Sequence, residues 1–199
     1  MNRTVKTWTV SAAFAAALCA GSSAFASTAD DDARACADGS GQAEVDACSR
    51  VINSGQLAAA DLAWAYDDRG FAYHHMGQDV QAIEDYDQAI ALKSDDFQYY
   101  LNRGYAHKVL GHHQLATDDY TRSIALKPDN KISYLVRGEN YIDTGDYALA
   151  IKDYTRAIEI DPKFVHAYRD RAYAKRQTGD TAGADADEAT ARALDGSSQ

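Results

Sequence analysis

Proline is almost missing from this 199-residue chain; Pro128 and Pro162 are the only two. With alanine abundant, that scarcity favours helix over sheet, and 46% hydrophobic residues suffice for a real core. Basic residues are short as well. Twenty Lys and Arg face thirty Asp and Glu, for a formal charge of −10. Like charges repel, so neither a nucleic-acid backbone nor an anionic membrane is an expected partner. The catalytic signatures are missing too: no nucleophile elbow, phosphate-cradling glycine loop or zinc-protease helix motif occurs. Neither enzyme activity nor a cofactor is expected.

Long apolar runs are also absent. Trp8 to Ala20 is the apolar stretch of an N-terminal segment and is too short to span a bilayer. Arg3 and Lys6 precede it, and Ala24-Phe25-Ala26 supplies the small residues that a signal peptidase reads. Residues 1–26 are therefore expected to be a signal peptide, and the mature chain to start at Ser27, in the periplasm or secreted, with no membrane insertion after cleavage. Without Arg3 and Lys6 the charge falls to −12. Of three cysteines, Cys19 leaves with the leader, which leaves Cys36 and Cys48. An even pair in an exported chain reads as a disulfide. Half a zinc site is the alternative, but no further cysteine exists and His74 is distant. The bridge would pin an N-terminal segment, 27–62, in which 27–35 reads as mobile and 43–53 as helix.

What the chain does have is a phrase repeated every 34 residues. Tyr66, Tyr100, Tyr134 and Tyr168 keep that step, as do Arg69, Arg103, Arg137 and Arg171. Gly70, Gly104 and Gly138 are followed by Ala172 in the next slot, and Gly77, Gly111, Gly145 and Gly179 recur beyond them. Ala82, Ala116, Ala150 and Ala184 complete the pattern. Such a period marks stacked helix–turn–helix units that cannot bury their apolar faces alone. Four units are expected at 63–96, 97–130, 131–164 and 165–198. The small residues at Gly70 and its counterparts admit bulky knobs, Tyr86, Tyr120 and Tyr154, from the second helix. Glu188 replaces that tyrosine in the fourth unit, so 181–194 reads as a polar cap, with Gly183 weakening it. Arg69, Arg103, Arg137 and Arg171 are expected to pair with Asp85, Asp119, Asp153 and Asp187, sixteen residues on, as structural ion pairs. The histidines, His74-His75, His107, His112-His113 and His166, show no efficient chelating arrangement, so no metal is expected.

The order small residue, aromatic, Gly, Ala, aromatic, Ala, Pro resembles the tetratricopeptide repeat (TPR), over 63–198 in four copies. The resemblance implies an all-α, right-handed superhelical solenoid of antiparallel helix pairs, whose concave groove binds a peptide or protein. In that family the groove is built from four positions of each opening helix. Carried onto this sequence, they put Trp64, Asp67, Phe71, Leu101, Tyr105, Leu135, Glu139, Ile142, Arg169, Tyr173 and Arg176 in the binding groove. The expected ligand fills Leu101–Leu135–Ile142 with apolar side chains and sets its acidic end near Arg169 and Arg176. The basic clamp of chaperone-binding relatives is absent, because Asp67 and Phe71 occupy two of its slots. The chain reads as an exported interaction scaffold or adaptor for a protein or peptide of unknown identity. The alternatives are an envelope ligand-binding or metal-sensing module, or a self-associating structural module.

Overall fold

The computed structural model describes residues 23–196, in ten helices. The expected leader lies outside the described residues over 1–22. Helices α1 (Ser23–Asp38) and α2 (Gly41–Asn53) form the N-terminal pair. Four further pairs follow: α3 (Ala59–His75) with α4 (Asp79–Leu92), α5 (Phe97–Val109) with α6 (His113–Leu126), α7 (Lys131–Thr144) with α8 (Tyr147–Ile160), and α9 (Val165–Gln177) with α10 (Thr181–Gly196). Each helix packs on the next, and the first helices of successive pairs also touch one another. The result is an all-α, right-handed solenoid whose inner face is built by α3, α5, α7 and α9. None of the described helices is long and apolar enough to cross a membrane.

The turns follow from the glycines. Gly77, Gly111, Gly145 and Gly179 adopt φ of 73°, 74°, 80° and 85°, a left-handed backbone that only glycine takes cheaply. Each donates its N–H three residues back, and the next residue donates five back, as Gln78 does to the Tyr73 carbonyl at 2.9 Å. This double closure satisfies carbonyls that a helix end would leave open. Pro128 and Pro162 stand two residues past the ends of α6 and α8, where the sequence placed their stops.

Close packing follows from the other glycines. A Cβ on Gly104 or Gly138 would sit 2.6 Å from the Cε1 of Tyr120 or Tyr154, so the helices could not approach as they do. The fourth unit has Ala172 there, and no tyrosine faces it because Glu188 fills that slot. The Arg–Asp pairs lock each hairpin through two parallel bonds. For Arg137, both Nε and Nη2 donate to Asp153 at 2.8 Å. The third nitrogen, Nη1, reaches back to the preceding pair, to Thr121 at 3.0 Å from Arg137 and to Thr155 at 3.0 Å from Arg171. Each guanidinium therefore ties three helices together, with its plane stacked near the tyrosine three residues earlier.

Arg69 makes the same reach to Ser49 of α2, at 3.0 Å, so α2 plays the part of a second helix to the unit before. Its partner α1 corrects the expectation that 27–35 is mobile. The segment is helical because one side of it is apolar: Ala33 and the fully buried Cys36 pack on Ala47, Cys48 and Val51. Arg50 closes the pair with a 2.8 Å bond to Asp32. Cys36 and Cys48 have Cα atoms 4.6 Å apart, a separation that suits a disulfide.

At the other end α10 is held better than Gly183 suggested. The Asp180 carboxylate accepts the Gly183 N–H at 2.9 Å and caps the helix. Ala184, Asp187 and Ala191 are buried against α9.

Candidate functional site

The inner face is less open, and differently charged, than its sequence suggested. Leu101 is only 4% exposed and belongs to a core cluster with Ala116, Tyr120 and Val136. Leu135 packs on Ala150, Tyr154 and Ala174. Both were expected to meet a ligand, and both instead join one unit to the next. The reason lies in the stacking: the following first helix comes down over this position of the preceding one. Trp64 likewise packs on the N-terminal cluster around the cysteines. Asp67 is 4% exposed and accepts a 2.8 Å bond from Asn102 Nδ2. Phe71 sets its ring edge-on against His75, with centroids 4.2 Å apart, and Tyr105 does so against Tyr120 at 5.9 Å.

The expected basic end of the groove is also corrected. Arg169 pairs with Asp195, and Arg176 pairs with Glu188 and, at 3.0 Å, with Asp185. These acids all lie on α10. The cap's own acids thus neutralise the two arginines.

Three of the expected residues do come together. Glu139 and Ile142 of α7 and Tyr173 of α9 line one depression of about 240 Å³, with Lys108, Asp143, Tyr154 and Asp170. First helices of three successive units build it, with Tyr154 of α8 as the remaining wall. Lys108 Nζ lies 3.1 Å from Glu139 and 3.4 Å from Asp143. Asp170 is half-buried; burial first, and then the Glu139 charge, push its carboxyl up to about 6. Burial, with Asp170, Glu139 and Asp143 behind it, raises the Tyr154 phenol. Tyr173 forms an open rim, 49% exposed.

Sequence reasoning missed Asp143, Tyr154 and Asp170. Tyr154 was assigned wholly to packing, and the other two lie outside the groove positions implied by the family. A signal for Asp170 existed in the repeat itself. Its slot holds Asp68, Asn102 and Val136 in the sister units, and Val136 is core. The histidines bind locally: His74 Nδ1 lies 2.5 Å from Asp79, and His113 Nδ1 lies 2.9 Å from Asn140. Among the described residues no group of His, Cys, Asp and Glu is arranged to hold a metal ion.

Known proteins agree with this architecture. The TPR repeat model matches residues 70–111 and 138–179, and the tetratricopeptide repeat model matches 97–130. These spans together take in more than half of the chain, which belongs to the tetratricopeptide repeat family. Among solved structures it is similar to a crystal structure of MamA, at 23% identity and a TM-score of 0.72, covering 78% of this chain and 89% of that one. MamA from residue 41 to the end, of Desulfovibrio magneticus RS-1, is 15% identical with a TM-score of 0.76, covering 86% of this chain and 95% of that one. The Arabidopsis OM64 TPR domain is 24% identical with a TM-score of 0.58, covering 60% and 98%. At these identities the likeness is one of fold. No curated protein matches the chain.

Proposed function

We propose that this TPR protein is an exported scaffold or adaptor that holds a peptide or protein segment in the groove formed by its first helices. The observation that carries the reading is the depression between the third and fourth units. Asp67 and Leu101 of the inner face are buried by the stacking, whereas here an aromatic rim, an aliphatic wall and several charged groups remain accessible around one depression. Concave sites with an apolar lining and a few placed polar groups are where ligands bind. Export is supported by the leader pattern of residues 1–26 and by the Cys36–Cys48 pair, whose geometry suits a disulfide. A self-associating array is less well supported, because the C-terminal face is covered with charged residues paired within the cap.

Immobilised random heptapeptides probed with the purified chain test the groove directly. Tyr173→Ser removes an exposed rim side chain and should abolish most peptide capture while leaving the circular dichroism spectrum unchanged. Leu149→Ser, at an exposed position outside the depression, should leave capture unaffected. The opposite pattern would move binding to the second-helix side.

A further inference from the structure

Asp170 stands where the third unit has Val136, one repeat earlier. Val136 is 1% exposed and packs on Tyr120. The corresponding Asn102 gives its amide to Asp67. Asp170 makes no hydrogen bond or ion pair among the described residues, although it is half-buried beside Glu139. Tyr154 faces it; the hydroxyls of its counterparts Tyr86 and Tyr120 are also unpaired among the described residues but fully buried, and Tyr154 differs from them in bordering a cavity. Tyr154 is 1% exposed, lines the depression, and its hydroxyl has no hydrogen bond among the described residues. A buried phenol and a half-buried carboxylate, both without partners, share one cavity. Buried polar groups normally have partners, so two unmet groups in one cavity mark a place for an incoming one.

The chemistry of that incoming group is narrow. Glu139, Asp143 and Asp170 contribute three carboxylates against the one cation of Lys108. An anion is repelled, and a carboxylate terminus with it. The volume of about 240 Å³ is below that of ordinary small-molecule pockets but admits one long side chain. Ile142 and the rings of Tyr154 and Tyr173 offer apolar surface to a methylene stem, and the acids lie beside them. That combination suits a side chain with an apolar stem and a cationic head.

We propose that the depression between the third and fourth units is the specificity pocket of the groove, and that it takes a lysine or arginine side chain from the bound polypeptide. This rests on the groove reading above and reverses the polarity the sequence suggested. Lys108 holds Glu139 and Asp143 in place when the pocket is empty, and it competes with the arriving cation. Tyr154 supplies the acceptor oxygen at the base, and Asp170 supplies the charge that has no internal partner.

Selection from the same heptapeptide library reads the preference. Peptides captured by the purified chain should carry Lys or Arg at one position, flanked by apolar residues. Replacing that residue by norleucine keeps the stem and removes the charge; affinity should fall about ten- to hundredfold, as for loss of a charge-assisted hydrogen bond. Asp170→Asn should cause a similar loss with the fold intact, and Lys108→Met should tighten binding several-fold. Captured peptides with apolar but no basic preference would overturn the pocket assignment and leave the groove standing. So would affinities unmoved by both Asp170→Asn and Lys108→Met. A chain that captures no peptide at all would remove the groove and the pocket together.

Discussion

Tyr120 and Tyr154 are the same residue of successive units, but the slots that hold Phe97, Tyr105, Ile132 and Val136 at the first junction hold Lys131, Glu139, His166 and Asp170 one repeat on. Against Tyr120 stands Val136, and the junction is core, shut by Leu101 and with Tyr105 and Ile132 packed on it. Against Tyr154 stands Asp170, and the junction opens into a cavity. The frame of the two junctions is repeated: the glycine under the ring, the Arg–Asp fork and the left-handed turn. A repeat protein can thus convert a structural joint into a site by exchanging a few apolar side chains for polar ones on an unchanged frame. The surrounding stack supplies the rigidity that the altered joint gives up.

The sharpest way to break this contrast is to transplant the acid. Val136→Asp would bury a carboxylate beside Tyr120, in a cluster of apolar side chains. We expect a loss of about 3 kcal/mol in urea unfolding, the range for an unpaired buried charge. A loss below about 1 kcal/mol would mean that the second junction is as open as the third.

Gly104→Ala and Gly138→Ala come next. Each drives a methyl into a tyrosine ring, and the gain in helix propensity offsets part of the strain, leaving a cost of about 2 kcal/mol apiece. Equal costs would show that the tyrosines are knobs at both junctions, whatever their hydroxyls face. In a Tyr154→Ala background, where the ring is gone, Gly138→Ala should cost much less than in the native chain.

The reverse graft, Asp170→Val, should stabilise the chain by about 1 kcal/mol at pH 7, after discounting for the partial exposure of the group. The sign follows from the raised carboxyl, at about 6 folded against 3.8 unfolded. Between those values the folded state holds more protons, so the stability of the native chain falls as pH rises through the window. The stabilisation by Asp170→Val should therefore vanish near pH 4. The groups facing Asp170 across the cavity are Glu139, Asp143, Lys108 and Tyr154, with His166 and Arg169 on its own helix. Denaturant midpoints at the two pH values measure it. A destabilised variant at pH 7 would make Asp170 a structural acid. The smallest effect belongs to Arg176→Ala. Its partners, Asp185 and Glu188, are acids of the cap, Arg176 itself is solvent-exposed, and such pairs contribute little, so the urea midpoint should barely move.

The repeat, its ring-over-glycine packing and its ion-pair forks were legible because each recurs at a fixed step. Their chemistry speaks for itself: a missing Cβ under an aromatic ring, or an arginine sixteen residues before an aspartate. The site was less legible. Whether Leu101, Leu135 or Asp67 meets solvent depends on how far the next unit's helix descends over them, which no single unit encodes. Whether Arg169 and Arg176 are free depends on acids of α10 that only folding brings near. Helix α1 was hidden for a similar reason, since its small acidic residues look solvated until Cys36 and Ala33 find α2. Asp170 alone left a trace in the sequence, as an acid in a column that also holds Val136.

Backbone amide shifts on adding a captured lysine-containing heptapeptide test the central claim most directly. The account predicts that the resonances of Glu139, Ile142, Asp143, Asp170 and Tyr173 move together and saturate, while those of Leu115 and Leu149, on the second helices α6 and α8, stay in place. Shifts confined to Leu115, Leu149 and their neighbours, with the Asp170 resonance unmoved, would contradict it.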